Sequence, residues 1–407
     1  MKLPTFSRFA TLLTIAIGLP SVRGNDRPLQ IFLLAGQSNM QGHAHVRTLD
    51  SMALDPKTAP LLEKMRNEDG TPRVCERVWI SSIGSSESEK IGNLTVGFGA
   101  EARGPKIGPE FTFGITMQEL LPDQPILLIK TAWGGKSLHT DFRPPSAAPY
   151  RFSDQQRERF EKQGKDIAQI EAEKAEASGR YYRLMLAHVK HVLSDPGRVY
   201  PDYDPQAGHE LAGFVWFQGW NDMVDSGTYP KRDQPGGYDQ YSELMAQFIR
   251  DVRRDLDTPG LPFVIGVMGV NGPTRLYGPD QKRYAATHQN FRDAMAAPAG
   301  LPEFRGNVAA VLTENYWGRE VAELRKRERA IREEEKRLEK AGELNRGERE
   351  KVIEKRYAET FNEKERRLLR ESVSNAEYHY LGSARIMSQI GKGFAEAMSD
   401  LKTGRSR

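Results

Sequence analysis

The sequence predicts an α/β protein built on a parallel sheet with helices on both faces, and three observations carry that reading. First, short continuous apolar runs recur along the chain at Leu29–Ala35, Ile126–Lys130, Gly213–Phe217, Phe263–Met268 and Val308–Leu312; a strand covered on both faces reads as such a run, whereas a half-solvated strand alternates. Second, amphipathic stretches lie between them. Tyr181–Leu193 places Leu184, Leu186, Val189 and Val192 along a helical face, and Tyr238–Leu256 is similar. Third, the runs at 29–35, 126–130 and 213–217 each give way to a polar, glycine-containing segment, the arrangement in which open α/β sheets collect a ligand site at their carboxyl edge.

Composition narrows the classes. The chain has 407 residues, 38% hydrophobic and 28% charged, with a single cysteine, enough apolar material for one large core and too little thiol for a disulfide scaffold or a thiolate metal site. Cys75 therefore reads as a small buried hydrophobe. The net charge of +4 does not mark a basic partner surface, because the excess sits at the amino terminus and in one late segment, and the rest is slightly acidic; nucleic acid is not expected as a partner. Residues 1–24 combine Lys2 and Arg8, an apolar run from Phe9 to Leu19, Pro20 and small residues ending at Gly24. That run is too short to cross a bilayer, which takes about 20 residues, and has the layout of an export signal cleaved after Gly24. The expected location is outside the cytoplasm, secreted or periplasmic, with no membrane span.

The segment 318–372 breaks the strand–helix rhythm, since 33 of the 53 residues from 319 to 371 are charged. Val321, Leu324, Ile331 and Leu338 form one narrow stripe, Gly342–Gly347 a turn, and Val352, Ile353, Tyr357, Phe361 and Leu368 a second stripe, so two antiparallel helices in coiled-coil fashion are predicted to project from the domain. They form either a solvated insertion or a docking arm for a protein partner or neighbouring subunit. The expected division is thus 1–24 signal, 25–317 main domain, 318–372 insertion and 373–407 the last part of the main domain.

Chemistry is expected at the strand ends. Gly36-Gln37-Ser38-Asn39-Met40-Gln41-Gly42 follows the first buried strand, where Ser38 can act as an exposed nucleophile or as a helix N-cap. Trp216-Phe217-Gln218-Gly219-Trp220-Asn221-Asp222 offers Asn221 as an amide donor and Asp222 to orient a loop or a base. Lys130-Thr131-Ala132-Trp133-Gly134-Gly135 presents backbone amides and an indole. A serine nucleophile needs a base, and among eight histidines His379 stands in a late loop, Tyr378-His379-Tyr380-Leu381-Gly382, ahead of the C-terminal helix.

Taken together, Gly36-Gln37-Ser38-Asn39-Met40, Gln218-Gly219-x-Asn221-Asp222 and the late His-x-x-Gly resemble the SGNH hydrolase superfamily, in particular its sialate O-acetylesterase-like and acetylxylan-esterase branch, carbohydrate esterase family 6. The resemblance spans 29 to about 317 and 373 to 400, with the charged segment as an insertion. It implies a flavodoxin-like three-layer α/β/α fold and hydrolysis of acetyl esters on carbohydrates with no metal or other cofactor. It implies Ser38 as nucleophile, His379 as base, and the Ser38 amide, Gly134 or Gly135, and Asn221 as the oxyanion hole. Gln37, Trp133, Gln218 and Trp220 are the expected substrate contacts. The family commonly has an Asp three residues before the His, and here that position is Ala376, flanked by Asn375 and Glu377; either Glu377, Asp222 or another acid orients His379, or the site runs as a Ser-His dyad with a backbone carbonyl holding the ring. The same departure supports the competing reading of a catalytically impaired sugar-binding or cell-envelope interaction protein on this fold.

Overall fold

The computed structural model describes residues 27–405, so the export signal expected at 1–24 lies outside the described residues. Seven strands form the main sheet: β1 (Leu29–Gly36), β2 (Cys75–Gly84), β3 (Lys90–Leu94), β4 (Ile126–Ala132), β5 (His209–Phe217), β6 (Phe263–Val267) and β7 (Val308–Leu312). Their spatial order is β3-β2-β4-β1-β5-β6-β7. All neighbours are parallel except the edge pair β2–β3. The five expected strands are present. The β2–β3 hairpin was not expected, because β2 alternates buried Cys75, Val78 and Ile80 with exposed Glu76 and Arg77 and so has no continuous apolar run. Burial pushes the Cys75 thiol up to about 11, the state of an inert core residue.

Strand periodicity explains the two helical layers. Along β5, Phe214 and Trp216 point to one face, where they meet Phe248 of the helix Asp239–Asp255 at ring separations of 6.0 and 4.5 Å. Phe217 points to the other face and meets Phe394 of the helix Ala384–Thr403 at 5.3 Å. On that second face Gly213 leaves room for Met398, whose sulfur would lie 2.2 Å from any Cβ there. Successive residues of one strand thus anchor opposite layers.

The charged segment departs from expectation in two ways. It forms three helices, Arg319–Ala341, Arg346–Thr360 and Glu363–Ser372, because Asn362 makes a capping box with Glu365 and restarts the chain after Phe361. It is also docked. Val321, Leu324, Ile331, Ile353, Phe361, Leu368 and Leu369 are buried and join the main hydrophobic cluster, and Arg47 donates to the carbonyls of Arg370 and Val373. High charge density therefore hid a face that is apolar at every third or fourth position. Among the described residues no helix is long and apolar enough to cross a membrane.

Below the carboxyl edge, Lys130 of β4 and Glu110 of the helix Glu110–Leu120 form an ion pair at 2.7 Å with both side chains out of water. Lys130 Nζ also donates to the carbonyls of Gln41 and Phe98 at 2.8 and 2.9 Å, while Glu110 Oε1 accepts from Gly108 N at 2.8 Å. Removing one partner strands the other charge in the core. Lys130→Ala is accordingly expected to destabilise the protein by about 3–5 kcal/mol, read as a lower urea midpoint; a loss under about 1 kcal/mol would show that the pair is not structural.

Candidate active site

The strand order sets β4, β1 and β5 side by side, and their registers end together: Gly36 pairs with Ala132 on one side and with Phe217 on the other. The segments carrying Ser38, Gly134 and Asn221 therefore leave the sheet from adjacent points. At this junction a Cβ on Gly36 would lie 2.1 Å from the Phe217 carbonyl oxygen, so only glycine fits. Gln37 N donates to Phe217 O at 3.3 Å and Trp133 N to Gly36 O at 3.2 Å, fastening the three ends.

Ser38 opens a single helical turn, Ser38–Gln41. The cap position is held by Gln37, with no side-chain cap. Gln37 instead fixes Asn221: its Oε1 accepts from the amides of Gly219 and Asn221 at 3.0 and 3.4 Å, and its Nε2 donates to Asn221 Oδ1 at 3.2 Å and comes within 3.4 Å of Ser38 Oγ. Because Asn221 Oδ1 accepts from Gln37, its Nδ2 is the end left to donate outward. Gly134 lies over the serine; a Cβ on it would be 4.0 Å from Ser38 Cβ, and its amide donates to Ser85 Oγ at 3.3 Å. Gly135 is exposed, with φ of +73°.

Asp222 orients a loop. Fully buried, it accepts from the amides of Leu138 and His139 at 2.8 and 3.0 Å, from Gln218 Nε2 at 2.6 Å and from the Tyr229 hydroxyl at 3.3 Å. Its lone pairs are committed to the segment that begins at Gly134 and to the Gln218 and Tyr229 side chains. Gln37, Gln218 and Trp133, expected to face substrate, are committed likewise: Gln218 also donates to the Lys136 carbonyl and accepts from Tyr241, and the Trp133 indole is buried against Phe142 and Tyr181. Of the four, Trp220 is the one left partly in solvent.

The His379 loop is held by an unusual backbone. Tyr380 and Leu381 have φ of +51° and +61°, left-handed conformations that cost a non-glycine residue roughly 1–2 kcal/mol each. Tertiary bonds offset this: the Leu381 carbonyl accepts from Ser374 and Asn375 N at 2.9 and 3.0 Å, and the buried Tyr380 hydroxyl accepts from Gly269 N at 2.8 Å and shares a 2.6 Å bond with Thr313 Oγ1. The loop is also tied to the nucleophile turn, since Asn39 Nδ2 donates to the Tyr378 carbonyl at 3.2 Å.

What orients His379 is Asn375, whose Oδ1 lies 3.0 Å from His379 Nδ1 while its Nδ2 lies 3.3 Å from His43 Nδ1. An amide oxygen only accepts, so His379 carries its proton on Nδ1 and presents a bare Nε2; an amide nitrogen only donates, so His43 is bare at Nδ1. The two rings stack in parallel at 3.9 Å. Burial holds His379 down to about 4, and burial followed by the charge of His379 holds His43 down to about 3. Glu377, the nearest acid in sequence, points away and pairs with Arg329 of the charged segment at 3.1 Å.

Against this geometry stand the comparisons with known proteins. A family model described as carbohydrate esterase, sialic acid-specific acetylesterase, matches residues 28–299. The chain belongs to this family. The seven-stranded, mostly parallel sheet flanked by helices is consistent with the SGNH-like hydrolase fold that was expected. The match includes the strand ends with Ser38, Gly134, Asn221 and Asp222 and stops before Asn375 and His379, the part of this esterase that the charged segment displaces along the chain. No curated protein matches it. Among solved structures, a protein from Arabidopsis thaliana aligns at 16% identity and TM-score 0.38 over 70% of this chain and 86% of that one. A carbohydrate acetylesterase from Xanthomonas citri aligns at 13% identity and TM-score 0.36 over 69% of this chain and 49% of that one, about half its length.

Sequence reasoning did not single out Asn375 and His43 as neighbours of His379. Asn375 was visible beside the vacant acid position, but the left-handed loop that turns it back onto His379 has no local signature. If Asp222 shapes the oxyanion side, Asp222→Asn puts an amide donor against backbone donors; it is expected to lower ester hydrolysis by about 10²-fold or more together with the melting temperature, while the pH dependence of the residual rate stays where it was. A shifted pH profile would instead make Asp222 a partner of the base.

Proposed function

We propose that this carbohydrate esterase removes O-acetyl groups from carbohydrates through a Ser38–His379 acyl-enzyme, with Asn375 in the place of the usual acid. His379 Nε2 takes the Ser38 Oγ proton as Oγ attacks the acetyl carbonyl; the imidazolium returns that proton to the sugar oxygen as the ester C–O bond breaks. A water then gives its proton to Nε2, its oxygen attacks the acyl carbon, and Ser38 leaves with the proton as acetate is released. The oxyanion is met by the Ser38 amide, the Gly134 or Gly135 amide and Asn221 Nδ2. The observation that carries the reading is the Asn375–His379 bond at 3.0 Å, because it supplies the tautomer a base needs, which is the main service of an orienting acid. The reading includes export of the chain after removal of residues 1–24.

Ser38→Ala is expected to abolish hydrolysis of a chromogenic acetyl ester with the circular dichroism spectrum unchanged, and His379→Ala to do the same, the double variant being little worse than either. Wild-type rates in the single variants would overturn the Ser38–His379 mechanism, and absence of hydrolysis by the wild type itself would leave the alternative of a sugar-binding protein without turnover.

The pH profile tests Asn375. A base held down to about 4 is neutral and competent above that pH and is lost as pH falls through it, so activity is expected to persist to about pH 5 and decline below. Asn375→Asp puts a negative charge on Nδ1, which raises the pKa of His379; the acid limb should move up by a unit or more. Asn375→Ala removes the tautomer lock and should cost about 10²-fold in kcat. An unmoved limb in Asn375→Asp would sever Asn375 from the base.

A further inference from the structure

A cleft of about 390 Å³ lies along the same sheet edge as the proposed catalytic residues. Its floor is built by the segments that follow β5, β6 and β7, through Trp220, Val270 and Asn271, and Trp317, and its outer wall is the first helix of the charged insertion, Arg319–Ala341. Two of its lining residues are chain neighbours of the proposed catalytic residues: Trp220 precedes Asn221, and Tyr378 precedes His379. The rings run on without a break, His379 to Tyr378 at 4.5 Å and Tyr378 to Trp220 at 5.6 Å. Tyr378 and Tyr284 are 43% and 44% exposed, large aromatic faces that nothing in the core requires to be open.

The chemistry of the lining is specific. Aromatic faces alternate with both signs of charge. Lys326 pairs with Asp280 and Arg329 with Glu377 at 3.1 Å across the cleft, which stitches the insertion helix to the loop after β6 and to the His379 loop, while Arg319 and Glu323 line the same wall. Flat rings take the C–H faces of pyranoses and charged forks take paired hydroxyls, and the volume is within the range of sites that enclose a drug-sized ligand.

We infer that this cleft binds the remainder of an acetylated oligosaccharide, of two or more sugar residues, whose ester sits at Ser38, so that the insertion is a wall of the substrate site. The inference rests on the proposed esterase reading. In this reading the saccharide beyond the esterified residue is what occupies the cleft out to Tyr284. The shared chemistry admits a neutral or an acidic saccharide, and the test carries both.

The experiment compares kcat/KM for p-nitrophenyl acetate, for a mono- and a trisaccharide of O-acetylated xylose, and for O-acetylated sialic acid and sialyllactose. Wild type is expected to favour the longer member of one series by about tenfold or more, and Tyr284→Ala or Arg319→Ala to reduce that preference by about tenfold. Arg346→Ala, at the exposed far end of the insertion, should leave it intact. The same saccharides titrated by calorimetry into Ser38→Ala keep the test independent of turnover. No chain-length preference in either series, or a preference and affinity untouched by Tyr284→Ala and Arg319→Ala, overturns the inference while a Ser38-dependent rate on p-nitrophenyl acetate still upholds the esterase. Loss of Ser38 dependence overturns the esterase instead.

Discussion

The buried contact between Lys130 and Glu110 fixes the height of everything at the carboxyl edge. A lone ammonium in the core is unfavourable, and burial draws the Lys130 pKa down while Glu110 draws it back up. Three acceptors meet it: a carboxylate and the carbonyls of Gln41 and Phe98. The Gln41 carbonyl is the last of the turn that begins at Ser38, and Gly42 O accepts from Ala100 N at 2.8 Å. One cation therefore joins the strand that leads to Gly134, the turn that carries the serine and the loop at Phe98. The desolvation cost is offset only while all three acceptors are in place, which makes the position of the turn an all-or-none property of the fold.

Above that floor the catalytic edge divides into two kinds of polar network. On the β5 side the organising acceptor is a buried carboxylate, Asp222, which accepts four hydrogen bonds. On the C-terminal side the orienting group is a neutral amide that serves two histidines at once. The division has a physical logic. Asp222 shapes a backbone loop whose amides are permanent donors, for which a full negative charge is the best acceptor. Asn375 has to satisfy one donor and one acceptor on stacked rings 3.9 Å apart, which a carboxylate cannot do. Under the proposed mechanism the cost falls on the transition state, in which the imidazolium meets a carbonyl dipole and not an anion, and the benefit is a base that stays unprotonated in mildly acid surroundings.

What could be read from sequence divides along the same line between local and distant causes. The five strands were legible because each is a continuous apolar run, four of them buried on both faces and Val308–Leu312 at the sheet edge; Ser38, Gly134 and Asn221 were noticed because glycine and polar residues cluster where strands end, and His379 because a late loop can bring a base over the serine. The β2–β3 edge was not, since its exposed face dilutes the apolar signal in Cys75-Glu76-Arg77-Val78. Trp133 was misplaced for a related reason. An indole beside a strand end looks like a platform until Phe142 and Tyr181 are known to cover it. Asn375 needed the left-handed Tyr380–Leu381 turn, which depends on Gly269 and Thr313, 111 and 67 residues before Tyr380, and no local pattern encodes contacts at that distance.

The charged segment shows how composition can mislead about position. Its 33 charges in 53 residues describe solvent on most of its surface, yet placement is decided by the few apolar residues on its inner face, from Val321 to Leu369, which are buried with the main core. The surface ion pairs Arg329–Glu377 and Lys326–Asp280 add little stability, since exposed pairs are worth about 0–1 kcal/mol; their effect is orientation, holding one helix face toward the strand ends. A helix anchored by its apolar stripe and aligned by weak pairs can shift slightly without unfolding. The charged segment thus meets the sheet edge from outside, whereas Gln37, Asn221, Gly134 and Asp222 are bonded within it.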